Sequence, residues 1–600
     1  MFRHRALPVL IGLLLLSLGL NWVYLLSGFQ ADDLIFLKMR QTEPLPFSRW
    51  SGVWSAPIES YDGFRALWWL EPGAQGSFFR PIPSLLIEGS VELFGETAFP
   101  LHLLGVLLHG AIGFAVFLLF RRLTGGRALP LLAAVVFVGC EDHSMGVGWI
   151  ATITDILCVL FAISALLLHL EHRATGNRRA LAGSLLSLVL AFGCKESAAV
   201  APAAIVVAEL ILPDRLPVPP TERDEISLRA AVRRWLGRYR RWAPAAVVMG
   251  VYLVLYRLGG FGVSSLMYLN PMSMPAAYLE NFALGLPIMV LALTTPIMPS
   301  FAMFLPEIAI WMAAAGAVVL LLLAWGLKPI IREPAVAYGV SMFVVALLPQ
   351  LATLPSERLL YFPLVFGSYG VARLIAEARP VARRLWPDRP EHAPLVTRLW
   401  AWSLALGMVL PGLVLSAVYP SMFAKSLDQP TTELASAAEL IGDRALDRVI
   451  VTNTSGMFLT LYVGDVLQVL ARRKLQVHLL SSGHAKFDLE RRSERSFVVR
   501  ADRAGWLSNL FAKLVRAEPA LSAGSRYEQP GFVATLLEVT PEGTDALAVR
   551  FDFDDPLDAE QVLLLSWDGS RFVAVDYGAL GDGETRLLAD TSDVMKTLMP

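Results

Sequence analysis

Two adjacent carboxylates, Asp32 and Asp33, follow the first hydrophobic segment (Leu7 to Phe29), at the point where the chain should leave a membrane. An ionised side chain beside hydrocarbon is costly unless it is solvated or paired, so two together point to a cavity holding water, a metal or a substrate. The same pair could simply end a helix at the interface, and position alone does not separate the two readings. Other charges stand at the ends of later apolar segments: Arg80, Lys195 beside Glu196, and Arg358 beside Glu357. A further polar set surrounds the second to fourth apolar segments: His102, His109, Glu141, Asp142, His143 and Asp155. His102 and His109 are seven residues apart and so share one helix face, where hydrogen bonding between helices is a commoner role than metal ligation.

The elements that must position these residues are membrane helices. The 600 residues are 55% hydrophobic and 17% charged, with a mean hydropathy of +0.54, which excludes an ordinary soluble protein. Apolar runs long enough to span about 30 Å as helices fall near 7–27, 98–120, 128–144, 147–170, 178–194, 196–213, 243–259, 307–326, 335–353, 357–376 and 399–419, about eleven in all. The first is too long, and too poor in small residues at its end, for a cleaved signal peptide. Segment 281–299 is also apolar, but with prolines at 287, 296 and 299 it reads as re-entrant or interfacial. Cys140, Cys158 and Cys194 lie in or beside these runs and are expected to be buried thiols.

Basic loops fix the expected orientation. Those at 121–127, 172–179, 233–241 and 378–389, and Lys328 with Arg332, all fall on the side of an N-terminus bearing Arg3 and Arg5. Taking that side as cytoplasmic puts 28–97 outside. This loop is too long for a connector, holds Trp50, Trp54, Trp68 and Trp69, and has amphipathic stretches around 61–70 and 80–94 suited to the interface. The net charge of −1 says nothing about partners, because the basic residues are segregated into particular loops; no nucleic acid is expected.

Beyond about residue 425 the texture changes. Short strand patterns at 448–452, 475–480, 496–500, 532–539, 546–553 and 561–567, with helical patterns at 459–472 and 505–515, describe a soluble α/β or α+β domain on the external side. The expected division is a membrane domain at 1–424, including the loop 28–97, and an accessory domain at 425–600. The acidic run Asp552 to Asp555 resembles a cation site but fits a strand end better.

Several phrases occur together and in order: FFRPIPSLLIEGSVELFGETAFPLHLLGVLLHG, FLLFRRL, WIATITDIL, CKESAAVAP and SERLLYFPLVFG. As a set they resemble the tetratricopeptide-bearing transmembrane O-mannosyltransferases and their bacterial relatives, within the membrane-embedded GT-C glycosyltransferases. The resemblance covers 350 to 400 residues and implies a GT-C-like bundle. It also implies transfer of a sugar from a polyprenyl-phosphate donor to a glycan, lipid-linked or protein acceptor at the external face of a bilayer, here a bacterial inner membrane. In that family an acidic residue just after the first helix serves as base or metal-associated carboxylate, a role that falls on Asp32 and Asp33. A divalent cation, Mg or Mn, would be held there if one is used. Arg80, Lys195 and Arg358 become candidates for the donor phosphate, with His102, His109, His143, Asp155, Glu196 and Glu357 as supporting polar groups.

The chain departs from the pattern in three places. Ile153 stands where the family has a basic residue two positions before Asp155, His143-Ser144-Met145 replaces a His-Thr-Glu-like phrase, and no 34-residue repeat occurs in 425–600. These departures leave the donor sugar and the metal requirement open. Two other functions stay available: a transporter or flippase of lipid-linked sugars, although the paired broken helices of such folds are not evident, and an inactive envelope-assembly scaffold.

Overall fold

The computed structural model describes residues 6–30, 32–42, 66–70, 76–140, 142–214, 216, 235–263, 268–295, 297–328, 330–376, 414, 431–454, 459, 462–481, 486–503, 506–507, 512 and 520–588. Among them, six helical segments are long and apolar enough to cross a membrane: Leu7–Leu26, Phe99–Thr124, Ile150–Thr175, Pro275–Ala292, Pro306–Leu327 and Glu357–Ala376. Helices Ala128–Val138, Arg178–Phe192, Val200–Ile211, Tyr239–Leu258 and Pro334–Gln350 pack with them. The protein is a multi-pass helical membrane protein carrying a soluble β-rich domain. The expected span at 399–419 (apart from Val414), the basic loop 378–389, Trp50, Trp54, Glu141 and the 424/425 boundary lie outside the described residues.

Local sequence explains where the long helices stop. Phe99–Thr124 opens with a proline in its first turn, ends in Arg121 and Arg122, and hands over to Gly125 at φ 71°. Proline loses no hydrogen bond in the first turn, late cations complement the helix dipole, and glycine takes the left-handed cap cheaply. Three apolar runs make shorter helices than expected: Ala128–Val138, Arg178–Phe192 and Val200–Ile211 have 11, 15 and 12 residues. At 1.5 Å per residue these cover about 17 to 23 Å, and the rest of each run forms the turns that carry the polar residues.

Helix Pro275–Ala292 meets the length and composition for a crossing, packs along Pro306–Leu327, and is tied to the segment 348–357. The Tyr278 hydroxyl donates to Leu348 O (2.8 Å), Asn281 Nδ2 to Leu351 O and Thr353 O (2.8 and 2.9 Å), and beyond the helix Ser300 Oγ to the Glu357 carboxylate. Both flanks of the segment therefore meet 348–357.

The C-terminal region builds two sheets. Two short strands of the membrane region, β1 (Gly76–Ser77) and β2 (Gly262–Val263), pair with each other. The later strands are β3 (Arg448–Val451), β4 (Gln476–Leu479), β5 (Phe487–Ser493), β6 (Ser496–Ala501), β7 (Arg526–Gln529), β8 (Phe532–Val539), β9 (Ala546–Phe553), β10 (Val562–Trp567), β11 (Phe572–Ala574) and β12 (Thr585–Leu588). One sheet has the order β11-β10-β3-β4, with β10, β3 and β4 parallel, and the other is the antiparallel β12-β5-β6-β9-β8-β7. Helix Val463–Ala471 links β3 to β4 as a crossover must between parallel neighbours. Asp552 accepts from Ser496 Oγ (2.7 Å) and Arg550 Nε (2.8 Å), and Asp555 pairs with Arg448 (3.3 Å), so the acidic run is spent on strand ends.

The hydrophobic residues form two large clusters. One joins the membrane helices. The other holds the C-terminal strands together with Leu34, Leu37 and Ala66 to Trp69 of the first loop. Trp68 and Trp69 are almost wholly buried there, and full burial of a large aromatic stabilises by about 2 kcal/mol or more. The first loop is thereby shared between the two clusters, and this sharing positions the candidate site.

Candidate active site

Asp32 and Asp33 open the helix Asp32–Thr42, yet they do different things. Asp33 is fully buried, and its carboxylate is spent on backbone: Gln30 N–H donates to Oδ2 (3.1 Å) and Ala151 N–H to Oδ1 (2.8 Å), with Ile150 N–H close by. It clasps the start of its own helix to the turn Ile150–Thr152. Gly148, beside that turn, admits the Tyr24 ring so closely that an added Cβ would lie 2.1 Å from it, which locks the first helix in the same place. Asp32 is half-buried and faces side chains instead: it accepts a hydrogen bond from the Tyr462 hydroxyl and lies in the field of Arg358 and Arg80. Burial pushes both carboxyls above the usual carboxylate range; Tyr462, Arg358 and Arg80 oppose this at Asp32, and the backbone donors oppose it at Asp33.

The three candidate phosphate cations also divide. Arg80 makes a two-pronged pair with Glu196 (Nη2 to Oε2 2.9 Å, Nε to Oε1 3.3 Å) and lies over the Phe78 ring at 4.3 Å. Lys195 Nζ sits 2.7 and 2.6 Å from the two oxygens of Asp155. Both are neutralised, and through them the start of the helix Pro81–Phe94, the turn at 195 and the helix Ile153–Thr175 are tied together. Arg358 stands over the Trp149 ring at 5.8 Å. Its neighbour Glu357 is engaged by Ser300, and among the described residues Arg358 has no carboxylate within ion-pair distance. A half-buried guanidinium without such a partner, in whose field Asp32 lies, has paired donors suited to an anion.

The histidines are structural by contact. His102 Nε2 lies 3.3 Å from Gly28 O and its ring stacks near Tyr24. His109 lies 3.0 Å from the Tyr361 hydroxyl and 3.2 Å from Val138 O. His143 packs among Phe137, His109 and Tyr361. These contacts join the helices that carry the rings to their neighbours. The three cysteines are free thiols.

Among the described residues the side chains around Asp32 do not make a metal site. Among the described residues no group of three or more His, Cys, Asp or Glu side chains gathers, and both Asp33 oxygens accept from backbone N–H groups. Asp32 alone would be left as a protein ligand, whereas a protein-held Mg or Ca site draws on several oxygens.

Tyr462 is the one member of this arrangement that sequence reasoning missed. It lies 430 positions from Asp32 along the chain, and nothing in its local sequence marks it; only the docking of the C-terminal region brings it in.

Residues 79–218 match the family model described as dolichyl-phosphate-mannose-protein mannosyltransferase. No curated protein sequence matches the chain. Among solved structures the chain is similar to the archaeal oligosaccharyltransferase AglB from Archaeoglobus fulgidus, in complex with an inhibitory peptide and a dolichol-phosphate, at 13% identity and a TM-score of 0.42. The similarity covers 80% of this chain and 65% of that one, so the chain spans just under two thirds of the archaeal protein's length. It is also similar to ArnT from Cupriavidus metallidurans bound to undecaprenyl phosphate, at 14% identity, covering 79% of this chain and 85% of that one with a TM-score of 0.40. The family match contains Arg80, His102, His109, His143, Asp155, Lys195 and Glu196, and leaves Asp32, Asp33 and Arg358 outside. Over residues 79–218 it bears out the resemblance to the GT-C type of membrane glycosyltransferase.

Proposed function

We propose that the chain moves a sugar from a polyprenyl-phosphate donor to an acceptor hydroxyl at the end of the bundle that carries Asp32. The observation that carries the proposal is a half-buried carboxylate, Asp32, lying in the field of an arginine, Arg358, that has no carboxylate within ion-pair distance among the described residues. In a one-step displacement the acceptor oxygen attacks the anomeric carbon and gives its proton to Asp32, while the bond from that carbon to the lipid phosphate oxygen breaks. The leaving phosphate carries away the electron pair, and Arg358 meets its charge with two donors. Attack opposite the leaving group inverts the anomeric centre. Asp33 holds the loop in which Asp32 sits, and the pairs Arg80–Glu196 and Lys195–Asp155 fix the surrounding turns.

The proposal places this end outside a bacterial inner membrane, with the N-terminus and the basic loops cytoplasmic, and divides the chain near 424/425. A cysteine introduced near residue 235 should then resist an impermeant thiol reagent while one near residue 500 reacts. The reverse pattern would invert the orientation. The function is tested by offering labelled polyprenyl-phosphate sugars to membranes that contain the chain or its Asp32→Asn variant. Transfer present in the first and lost in the second is expected; a folded wild-type chain that transfers from no donor would overturn the proposal.

A further inference from the structure

The C-terminal domain is built into the candidate site. Leu479 N–H donates to Ala66 O (2.9 Å) and Leu67 bridges Leu479 in parallel, so the first loop extends the four-stranded sheet beyond β4. Trp68 Nε1 donates to Leu480 O (2.9 Å), and the Trp68 ring meets Tyr527 and Phe551 edge-on at 5.2 and 5.8 Å. Lys38, on the helix that Asp32 opens, lies 3.6 Å from Asp465 in the first turn of Val463–Ala471, with both side chains at most 3% exposed. These two helices pack on each other, and Tyr462, immediately before the second, touches both hydrophobic clusters. Its hydroxyl reaches Asp32.

Parallel sheets gather their functional groups at the carboxyl ends of the strands, and Tyr462 stands between β3 and the helix Val463–Ala471 that follows it in the chain. Here Tyr462 meets a side chain of the membrane region. A phenol that donates to one carboxylate oxygen fixes the side-chain rotamer and leaves the other oxygen free to take a proton. The groups around Asp32 are Asp33 on its own helix, Arg80 from the first loop, Arg358 and Tyr462. Of these, only Tyr462 comes from the C-terminal domain.

We infer that Tyr462 is a positioning residue for the transfer, so that the C-terminal domain completes the site by holding Asp32 in its working orientation. The inference rests on the transferase reading above. Because Tyr462 is placed on the base and not on the donor phosphate, its loss acts on turnover more than on donor binding.

The test uses the full-length chain in membranes. Tyr462→Phe should lower kcat by roughly ten- to a hundredfold, the scale of a misplaced catalytic group, with KM for the donor little changed. A disulfide between cysteines placed at Leu67 and Leu479 should form equally well in the variant, because the domain stays seated. Asp465→Asn provides the second arm: it breaks the ion pair with Lys38 and should lower disulfide yield and kcat together. Tyr462→Phe turning over like the wild type would overturn the inference while leaving the transferase reading intact. An unseated Asp465→Asn domain with full turnover would do the same, and this arm decides alone if Tyr462→Phe does not fold. A wild-type chain that transfers from no donor would bring down the transferase reading and the inference together.

Discussion

Both ends of the membrane bundle carry a carboxylate among arginines, and the two arrangements are opposites in how their charges are spent. At the end away from Asp32, Glu209 is fully buried, 3.0 Å from His169 Nε2 and 3.7 to 3.8 Å from Arg173, Arg238 and Arg241. Those arginines also close the C-terminus of Val200–Ile211: Arg173 Nη2 donates to Leu212 O (2.9 Å) and Arg238 Nη1 to Glu209 O (2.8 Å), and Arg238 and Arg241 both pair with Asp214. Each cation there has a carboxylate or a helix-end carbonyl, as a structural clamp requires. At the other end, among the described residues, Asp32 has a phenol as its direct partner and Arg358 has no carboxylate within ion-pair distance. Buried charge therefore does not identify the functional end by itself; unspent hydrogen-bonding capacity does.

The comparison breaks first if Asp32 proves dispensable. Asp32→Asn should lower transfer by about 10²- to 10⁴-fold, the usual worth of a positioned general base, with little change in donor affinity. Assay of donor binding and turnover on one preparation separates the two quantities. Glu209→Gln should do the reverse. It leaves three arginines facing an uncharged group and should destabilise the folded chain by about 3 to 5 kcal/mol, the cost of breaking a buried ion cluster from one side. Turnover per folded molecule should be preserved, as measured by thermal unfolding in detergent beside the transfer assay. A Glu209 variant with normal stability and no activity would reverse the roles assigned to the two ends.

Arg358 sharpens the contrast within one end. Arg358→Gln should weaken donor binding by about ten- to a hundredfold, since a hydrogen bond to a charged group contributes roughly 1.5 to 3 kcal/mol. Arg80→Gln and Lys195→Met should instead lower stability and leave the donor dissociation constant alone. Equal losses of donor affinity in all three would mean that the ion pairs open when donor binds. Asp33→Asn should be milder than Asp32→Asn: it exchanges one acceptor for a donor that faces a backbone N–H, at a cost of about 1 to 3 kcal/mol in stability, while transfer continues.

The two ends were not equally legible in the sequence. Asp32, Asp33 and Arg358 stand at breaks between apolar runs, where a charge is conspicuous, and the strand boundaries from Phe532 to Phe553 follow the alternation of their residues. What separates Asp32 from Asp33 is invisible there, because it depends on which of two neighbouring carboxylates meets the N–H groups of residues 150 and 151, more than a hundred positions away. Lys195 and Arg80 likewise look like free cations until Asp155 and Glu196 are placed beside them. Glu209 was readable as a lone acid inside an apolar run, a signal that by itself asks for a partner. Tyr462 had no such signal, since its meaning comes wholly from the seating of one domain on the other.

The smallest effect is the pH dependence of transfer, and it tests whether Asp32 works as the free carboxylate. Burial raises its pKa, and the Tyr462 hydroxyl and the charges of Arg358 and Arg80 hold that rise back. A base must be deprotonated, so turnover should climb with pH through a value above the usual carboxylate range and level off beyond it. Removing Arg358 takes away a positive charge that favours the ionised form, so the Arg358→Gln enzyme should need a still higher pH to reach half its maximal rate. Lys195→Met should not move the profile, because Lys195 is committed to Asp155. An acid limb that shifts to lower pH in Arg358→Gln, or that follows Lys195 and not Arg358, would mean that the titrating group is not Asp32, and the carboxylate that takes the proton would have to be sought elsewhere in the site.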